Sequence, residues 1–218
     1  MHEEECCMPA PKPLILGEPA PEFEANTTHG RVKLSQFKGK WVLLFSHPAD
    51  FTPVCTTEFM AFAKLFDEFA KRNVQVIGLS IDSVYSHIAW VRNIEEKMGV
   101  HIPFPVIADL DMKVAKAYNM VHPGLSDTSA VRSVFFIDPN GMLRAMVYYP
   151  MSTGRNMDEL LRVIDSLQLV DKEKIATPAN WKPGDPVIVP PPATQEAADK
   201  RLKEGYDCKD WYFCKKKV

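Results

Sequence analysis

The run Trp41-Val42-Leu43-Leu44-Phe45 is apolar without interruption, the pattern of a strand buried on both faces. Pro48 and Pro53 follow it, and each removes an amide donor and fixes its own φ, so regular structure is expected to stop there. From Cys55 the period changes. Phe59, Phe62, Phe66 and Phe69 recur at helical spacing with Lys64, Asp67, Glu68 and Lys71 between them, which predicts an amphipathic helix of about four to five turns. Residues 74–81 read as a second buried strand. Residues 86–98 read as a helix with Ile88, Val91, Ile94 and Met98 inward and Gly99 at its end. A short strand at 105–108, a short helix at 109–118 and a strand at 131–137 follow. The turn Asp138-Pro139-Asn140-Gly141 then returns the chain along 143–149. A helix over 156–169 places Leu160, Leu161, Ile164 and Leu167 on one side. Strands alternating with helices, then a hairpin and a last helix, predict an α/β fold around a central mixed sheet.

From Ala176 the texture changes. Pro178, Pro183, Pro186 and Pro190-Pro191-Pro192 break the chain around a short strand at 187–189. A brief helix (194–203) and an aromatic tail with Cys208, Trp211, Tyr212, Phe213 and Cys214 follow. Two readings stand open for this segment: a linker, as proline-rich sequence commonly is, or an ordered arm packed on something such as a partner subunit.

Composition narrows the function classes. The net charge of −2 gives no basic surface for nucleic acid. No apolar run approaches the length of a membrane span, and the first residues, Met1-His2-Glu3-Glu4-Glu5-Cys6-Cys7, are acidic, unlike a secretory signal. The expected location is the cytoplasm. Five cysteines are an odd number thinly spread, which in a reducing compartment points to thiol chemistry or metal and not to a disulfide framework. Cys6 and Cys7 are adjacent and lack the spacing of a metal site, so they read as bystander thiols.

The candidate chemistry centres on Cys55. The pattern places it in the first turn of a helix, behind two prolines and beside the hydroxyls of Thr52, Thr56 and Thr57. The unpaired amides and the positive dipole end of such a turn favour an anionic sulfur, and helix N-termini with nearby cations lower thiol pKa values from about 8.5. The plainer alternative is a buried core cysteine, which needs neither the prolines nor the hydroxyl one turn upstream. Arg132 lies among apolar neighbours, Val131, Val134 and Phe135, and a buried arginine needs a partner; otherwise it is a surface ion pair at a strand edge. For His47, a role at the site and a satisfied histidine behind the loop are both open.

The pattern Pro48-x-x-x-Thr52-x-x-Cys55, with Arg132 on a later strand, resembles the peroxiredoxins. The longer strings Phe45-Ser46-His47-Pro48 to Cys55-Thr56-Thr57-Glu58, and Ser152-Thr153-Gly154-Arg155-Asn156, resemble the one-cysteine subfamily, and the likeness covers the chain after about Pro13. The resemblance implies a thioredoxin-like fold with a small proline-rich C-terminal domain: an N-terminal extension at 1–12, a peroxidase domain at 13–172, and a dimerisation arm with a cysteine-bearing tail at 173–218. It implies that Cys55 attacks a peroxide and becomes a sulfenic acid. Thr52 would hydrogen-bond the peroxide, the amides of Val54 and Cys55 would hold the leaving oxygen, and Arg132 would stabilise the thiolate and the developing charge. Pro48 would shield the sulfur from water. Glu58 and Arg155 would form a charged set around Arg132, the alternative for Glu58 being a solvent-facing helix charge. No cofactor and no metal are implied.

The tail Asp207-Cys208-Lys209-Asp210-Trp211-Tyr212-Phe213-Cys214 resembles that of archaeal and bacterial members with a C-terminal cysteine pair. There a tail cysteine resolves the sulfenic acid of a neighbouring subunit and a thioredoxin-like reductant reopens the disulfide. Cys214, or else Cys208, is the expected resolving residue, on a mobile tail; otherwise the two are bystander thiols. Hydrogen peroxide and alkyl hydroperoxides are the implied substrates, and a homodimer that can assemble into a decamer, a ring of five dimers, is the implied assembly. Lys40 stands where some animal members carry a lipase-like serine, so phospholipase activity does not carry over. A dithiol oxidoreductase is disfavoured because no Cys-x-x-Cys opens the helix. The alternative from another class is a holdase chaperone or redox sensor on the same fold.

Overall fold

A computed structural model describes residues 13–218; the N-terminal extension with Cys6 and Cys7 lies outside the described residues. By internal contacts the chain divides after Arg155 into two compact units. The first holds β1 (Glu24–Thr27), β2 (Gly30–Lys33), a short 3-10 helix (Leu34–Phe37), β3 (Trp41–Ser46), α1 (Pro53–Lys64), α2 (Phe66–Lys71), β4 (Val74–Ser80), α3 (Val84–Met98), β5 (Val106–Ala108), α4 (Lys113–Ala117), β6 (Arg132–Ile137) and β7 (Leu143–Tyr149). Its sheet runs in the order β2-β1-β5-β4-β3-β6-β7. β3, β4 and β5 are parallel, while β6 is antiparallel to β3 and to β7. This is the expected α/β, thioredoxin-like fold. All six residues of β3 are buried, as an unbroken apolar strand at the centre of a sheet must be.

Aromatic rings fill the space between β3 and α1. Phe45 stacks on Phe62 with centroids 4.1 Å apart and meets Phe59 edge-on at 5.5 Å. Gly78, across from Phe45 on β4, leaves room for them: a Cβ there would stand 3.2 Å from Phe45 Cζ and 3.4 Å from Phe59 Cζ.

The structure departs from the periodicity reading in three places. The long helix breaks at Leu65 (φ −101°, ψ 8°) into α1 and α2. Pro53 does not end an element but begins one, as the first residue of α1, where its missing N–H costs nothing and its φ suits a helix. In α3, Ile88 and Met98 are exposed and the buried residues are His87, Trp90 and Ile94. The true inward stripe is led by a histidine, which a count of aliphatic residues passes over. Ser83 caps this helix by accepting from Ser86 N at 3.1 Å, and Gly99 ends it in the left-handed conformation (φ 68°).

The second unit holds α5 (Met157–Glu173), β8 (Val187–Val189), α6 (Gln195–Arg201), β9 (Asp207–Asp210) and β10 (Phe213–Lys216). The proline-rich segment is ordered here. Ile175, Trp181 and Val187 pack together with Leu169 and Val170, and Trp181 Nε1 donates to Asp185 O at 3.1 Å. The tail forms a hairpin whose strand β10 is the middle of a three-stranded sheet, β8-β10-β9. It is an ordered β element, not the free tail expected.

Candidate functional site

The segment between β3 and α1 is shaped by a tight entry into the helix. Phe51 takes a left-handed φ of 54° and is 58% exposed, a conformation that costs a non-glycine residue energy and must be held by its surroundings. Thr52 is the N-cap residue and its carbonyl accepts from Thr56 N at 3.0 Å. Its hydroxyl does not cap the helix but donates to Ala49 O at 2.9 Å. Val54 and Cys55 are therefore the second and third helical residues, and their amides lie among the donors for which a helix supplies no acceptor. Negative charge is favoured in front of them. Cys55 itself is 0% exposed, and Pro48 and Val54 are half-buried around it in sequence. Gly154 approaches Val54 closely; a Cβ on it would stand 3.5 Å from Val54 Cγ1.

A cation reaches the sulfur from the sheet. Arg132, the first residue of β6, directs Nη1 to Cys55 Sγ at 3.3 Å and to Glu58 Oε2 at 2.7 Å, while its Nε donates to Met151 O at 2.8 Å. Glu58 lies one turn beyond Cys55 on the same face of α1, and it is buried, not solvent-facing. Arg155 completes the set. Its backbone N and its Nε donate to Glu58 Oε1 at 2.9 and 2.8 Å, and Nη2 donates to Oε2 at 2.6 Å. Its Nη1 donates to Ser46 O and Ser133 O, both at 2.9 Å, joining β3 and β6. Phe45 lies beneath the guanidinium at 5.0 Å, a cation–π contact. Burial works against the charge on Glu58, but Arg155, by charge and hydrogen bonds, and then Arg132 outweigh it and hold the carboxyl below its ordinary range.

A second buried cluster lies on the same loop. His47 Nε2 is 3.0 Å from Asp50 Oδ1, and His87 Nδ1 is 3.0 and 2.8 Å from the two Asp50 oxygens. His87 Nε2 meets Ile107 O at 3.0 Å. Both ring nitrogens of His87 thus face oxygens, those of Asp50 on one side and Ile107 O on the other. His47 donates through Nε2, and its Nδ1 is buried with no hydrogen-bond partner. Burial is the main cause that lowers the His47 pKa, partly offset by Asp50. Burial opposes the charge on Asp50 as well, but hydrogen bonds from His47 and His87 overcome it and hold that carboxyl well below the usual carboxylate range. Among the described residues these three also form a group of potential metal ligands, their atoms all within 4.8 Å of one another. Their ring nitrogens and carboxylate oxygens already have hydrogen-bond partners, in the group or at Ile107 O, except for His47 Nδ1. Asp50 and His87 were not singled out from sequence. The available signal was the pair His87 and Trp90 at helical spacing on α3.

Of the residues expected at the site, Cys55, Glu58, Arg132 and Arg155 are brought into direct contact, with the amides of Val54 and Cys55 at the helix start. Thr52 and Pro48 belong to the same loop, and His47 packs its ring on Phe59 at 4.8 Å. Cys208 and Cys214 are in the second unit and are bonded to each other, with Cα atoms 4.0 Å apart. Neither is a free thiol in this state.

The family described as AhpC/TSA matches residues 16–146, and the C-terminal domain of 1-Cys peroxiredoxin matches residues 166–205. A peroxiredoxin of Aquifex aeolicus is 63% identical over 214 residues, covering 93% of this chain and 96% of that protein. One of Methanosarcina mazei is 55% identical over 213 residues, covering 93% and 97%. Among solved structures, a yeast mitochondrial 1-Cys peroxiredoxin, whose thiol is resolved via glutathione/thioredoxin systems, superposes with a TM-score of 0.83 at 44% identity, covering 94% of this chain and all of that one. A mutant of peroxiredoxin 6 of Arenicola marina gives 0.85 at 40% identity, covering 94% and 98%.

Proposed function

This chain belongs to the peroxiredoxin (AhpC/TSA) family and is a thiol peroxidase, and from that premise we propose that Cys55 is its peroxide-attacking nucleophile. The observation that carries the assignment is the 3.3 Å approach of Arg132 Nη1 to Cys55 Sγ. In this reading the substrates are hydrogen peroxide and alkyl hydroperoxides. The sulfur takes one oxygen while the other leaves with growing negative charge, toward the amides of Val54 and Cys55 and toward Arg132. Thr52 positions the peroxide, with its hydroxyl proton committed to Ala49 O and its lone pairs left to accept. Pro48 limits water at the sulfur. Glu58 and Arg155 hold the Arg132 guanidinium in register, and His47 backs the loop. The expected peroxidase domain is 13–172, with the arm and tail at 173–218.

The Cys208–Cys214 disulfide supports a two-step resolution. One tail thiol attacks the sulfenic acid of Cys55 in a partner copy, forming a mixed disulfide and releasing water. The other tail thiol then attacks that mixed disulfide, freeing the Cys55 thiolate and leaving Cys208 and Cys214 joined. In the cytoplasm expected here, such a disulfide is a working one, reopened by a thioredoxin-type donor. The assembly is a homodimer, with a ring of five dimers as the higher form.

Stopped-flow peroxide consumption by the Cys55→Ser variant tests the first assignment; turnover is expected to vanish. Retained turnover would sink it. Intact mass of the fully reduced protein after one equivalent of peroxide tests the second. Loss of two hydrogens at the tail pair is expected in the wild type, and a stable sulfenic acid at Cys55 in the Cys208→Ser, Cys214→Ser double variant. A wild type that stops at the sulfenic acid would overturn the resolution scheme while leaving the nucleophile untouched.

A further inference from the structure

The two sulfurs of the tail disulfide are not equivalent. Cys214 lies on β10, the middle strand of the small sheet, between β8 and β9, and is 0% exposed. Cys208 lies on β9, an outer strand of that sheet, and is half-buried. Carbonyl oxygens crowd the buried sulfur: Asp210 O lies 3.4 Å and Trp211 O 3.8 Å from Cys214 Sγ. A thiolate approaching that sulfur would meet the negative ends of two peptide dipoles. Exchange requires the attacking sulfur to reach its target, and which sulfur is attacked is set by access as well as by thiol acidity.

We propose that a dithiol protein reductant enters this disulfide at Cys208 and expels Cys214. The inference rests on reading the tail pair as the working disulfide. The donor thiolate forms a bond to Cys208 Sγ as the Cys208–Cys214 bond breaks, and Cys214 leaves with the electron pair and takes a proton from water. Once protonated, its S–H has an acceptor in place at Asp210 O. The second donor thiol then attacks the donor's own sulfur in the mixed disulfide, releasing the Cys208 thiolate. The donor is oxidised to its disulfide and the tail is reduced to two thiols. The turn that joins β9 to β10 exposes Trp211 (40%) and Tyr212 (56%), with Phe213 (38%) at the start of β10. Such an aromatic surface gives a protein donor more to bind than a small thiol finds.

The test uses the full-length oxidised protein. A thioredoxin whose second active-site cysteine is replaced by serine is added to trap the mixed disulfide, and 2-mercaptoethanol serves as a small-thiol control. Freed thiols are alkylated with iodoacetamide, and trypsin, cutting after Lys209, separates the two cysteines onto different peptides. The expected result is the adduct on the Cys208 peptide and the alkyl group on Cys214, in about tenfold or greater excess over the reverse. The reverse labelling, equal labelling, or no adduct with either probe overturns the proposal. Labelling of Cys208 by 2-mercaptoethanol but not by thioredoxin also overturns the proposal, because a small thiol and not a protein donor then enters there. If the Cys208→Ser, Cys214→Ser variant turns over at the wild-type rate with thioredoxin, the resolution scheme fails whatever the labelling pattern.

Discussion

Glu58 and Asp50 are both buried carboxylates, and each is held between two basic side chains. Glu58 sits between Arg132 and Arg155, and Asp50 between His47 and His87. The difference lies in whether the partners can give up their charge. Guanidinium groups stay protonated at any pH a protein survives, while imidazoles exchange protons near neutrality. The permanent cluster touches Cys55 Sγ, and the titratable one anchors the loop that carries Pro48 and Thr52. Charge that stays constant is placed at Cys55 Sγ, the proposed nucleophile, and charge that can vary is placed behind it.

Removing each carboxylate is the strongest test of that contrast. Glu58→Gln leaves two buried guanidiniums with no counter-charge, and losing one partner of a buried pair costs about 3–5 kcal/mol. Asp50→Asn strands no permanent charge and removes the acceptor of two ring N–H groups, so the loss is expected near that of broken buried hydrogen bonds, about 1–3 kcal/mol. Urea unfolding at neutral pH measures both. Equal losses would mean that the two clusters do not differ in the way argued.

Arg132→Lys keeps the charge but loses the planar fork that serves Met151 O, Glu58 and Cys55 Sγ together. A drop in kcat/KM for peroxide on the order of 10²–10³ is expected, the usual effect of losing one preorganised donor, with a loss of unfolding free energy of about 1–3 kcal/mol, that of broken buried hydrogen bonds. A variant within about twofold of wild type would show that charge alone suffices at the sulfur.

The titratable cluster is tested by pH. The folded-state pKa of His47 is lowered, so the unfolded chain binds this proton first as pH falls below about 6.5. Its contribution is fully present above that value and is lost as pH drops toward the folded pKa, with a slope of at most about 1.4 kcal/mol per pH unit. Asp50 and Glu58, both depressed, contribute stability above their unfolded values near 4, which is lost as pH falls through their lower folded ones. Unfolding free energies of His47→Gln and wild type, measured from pH 7 to 5, are expected to converge as pH falls. A constant difference would break the assignment.

The permanent cluster is legible in the sequence, but two of the three residues of the other are not. Cys55, Thr52 and Pro48 sit in one short motif, and Arg132 stands out as a lone cation inside an apolar strand. Asp50 looks like an ordinary loop residue, and His87 is hidden on a helix whose aliphatic residues suggest a different face. Burial of that face depends on Trp90 and Ile94 meeting the sheet, a tertiary fact that periodicity does not carry. The break at Leu65 and the pairing of Cys208 with Cys214 are hidden from the sequence for different reasons. The first depends on local geometry, and the second on β9 and β10 folding into a hairpin that aligns Cys208 opposite Cys214.

One position touches both clusters through a ring on each side. The Cβ added by Gly78→Ala would press on Phe45, which lies under the Arg155 guanidinium, and on Phe59, which packs against His47. At 3.2 and 3.4 Å the overlap is a few tenths of an ångström, so the expected cost is about 1 kcal/mol, at the low end of overpacking. The useful readout is where the rings give way. If Phe45 yields, Arg155 and then Glu58 shift, and kcat/KM falls while the pH dependence of stability stays as in wild type. If Phe59 yields, His47 moves, and the slope between pH 7 and 5 changes while peroxide turnover is kept. A variant in which both change together would show that the two clusters are mechanically one, coupled through the aromatic layer between β3 and α1.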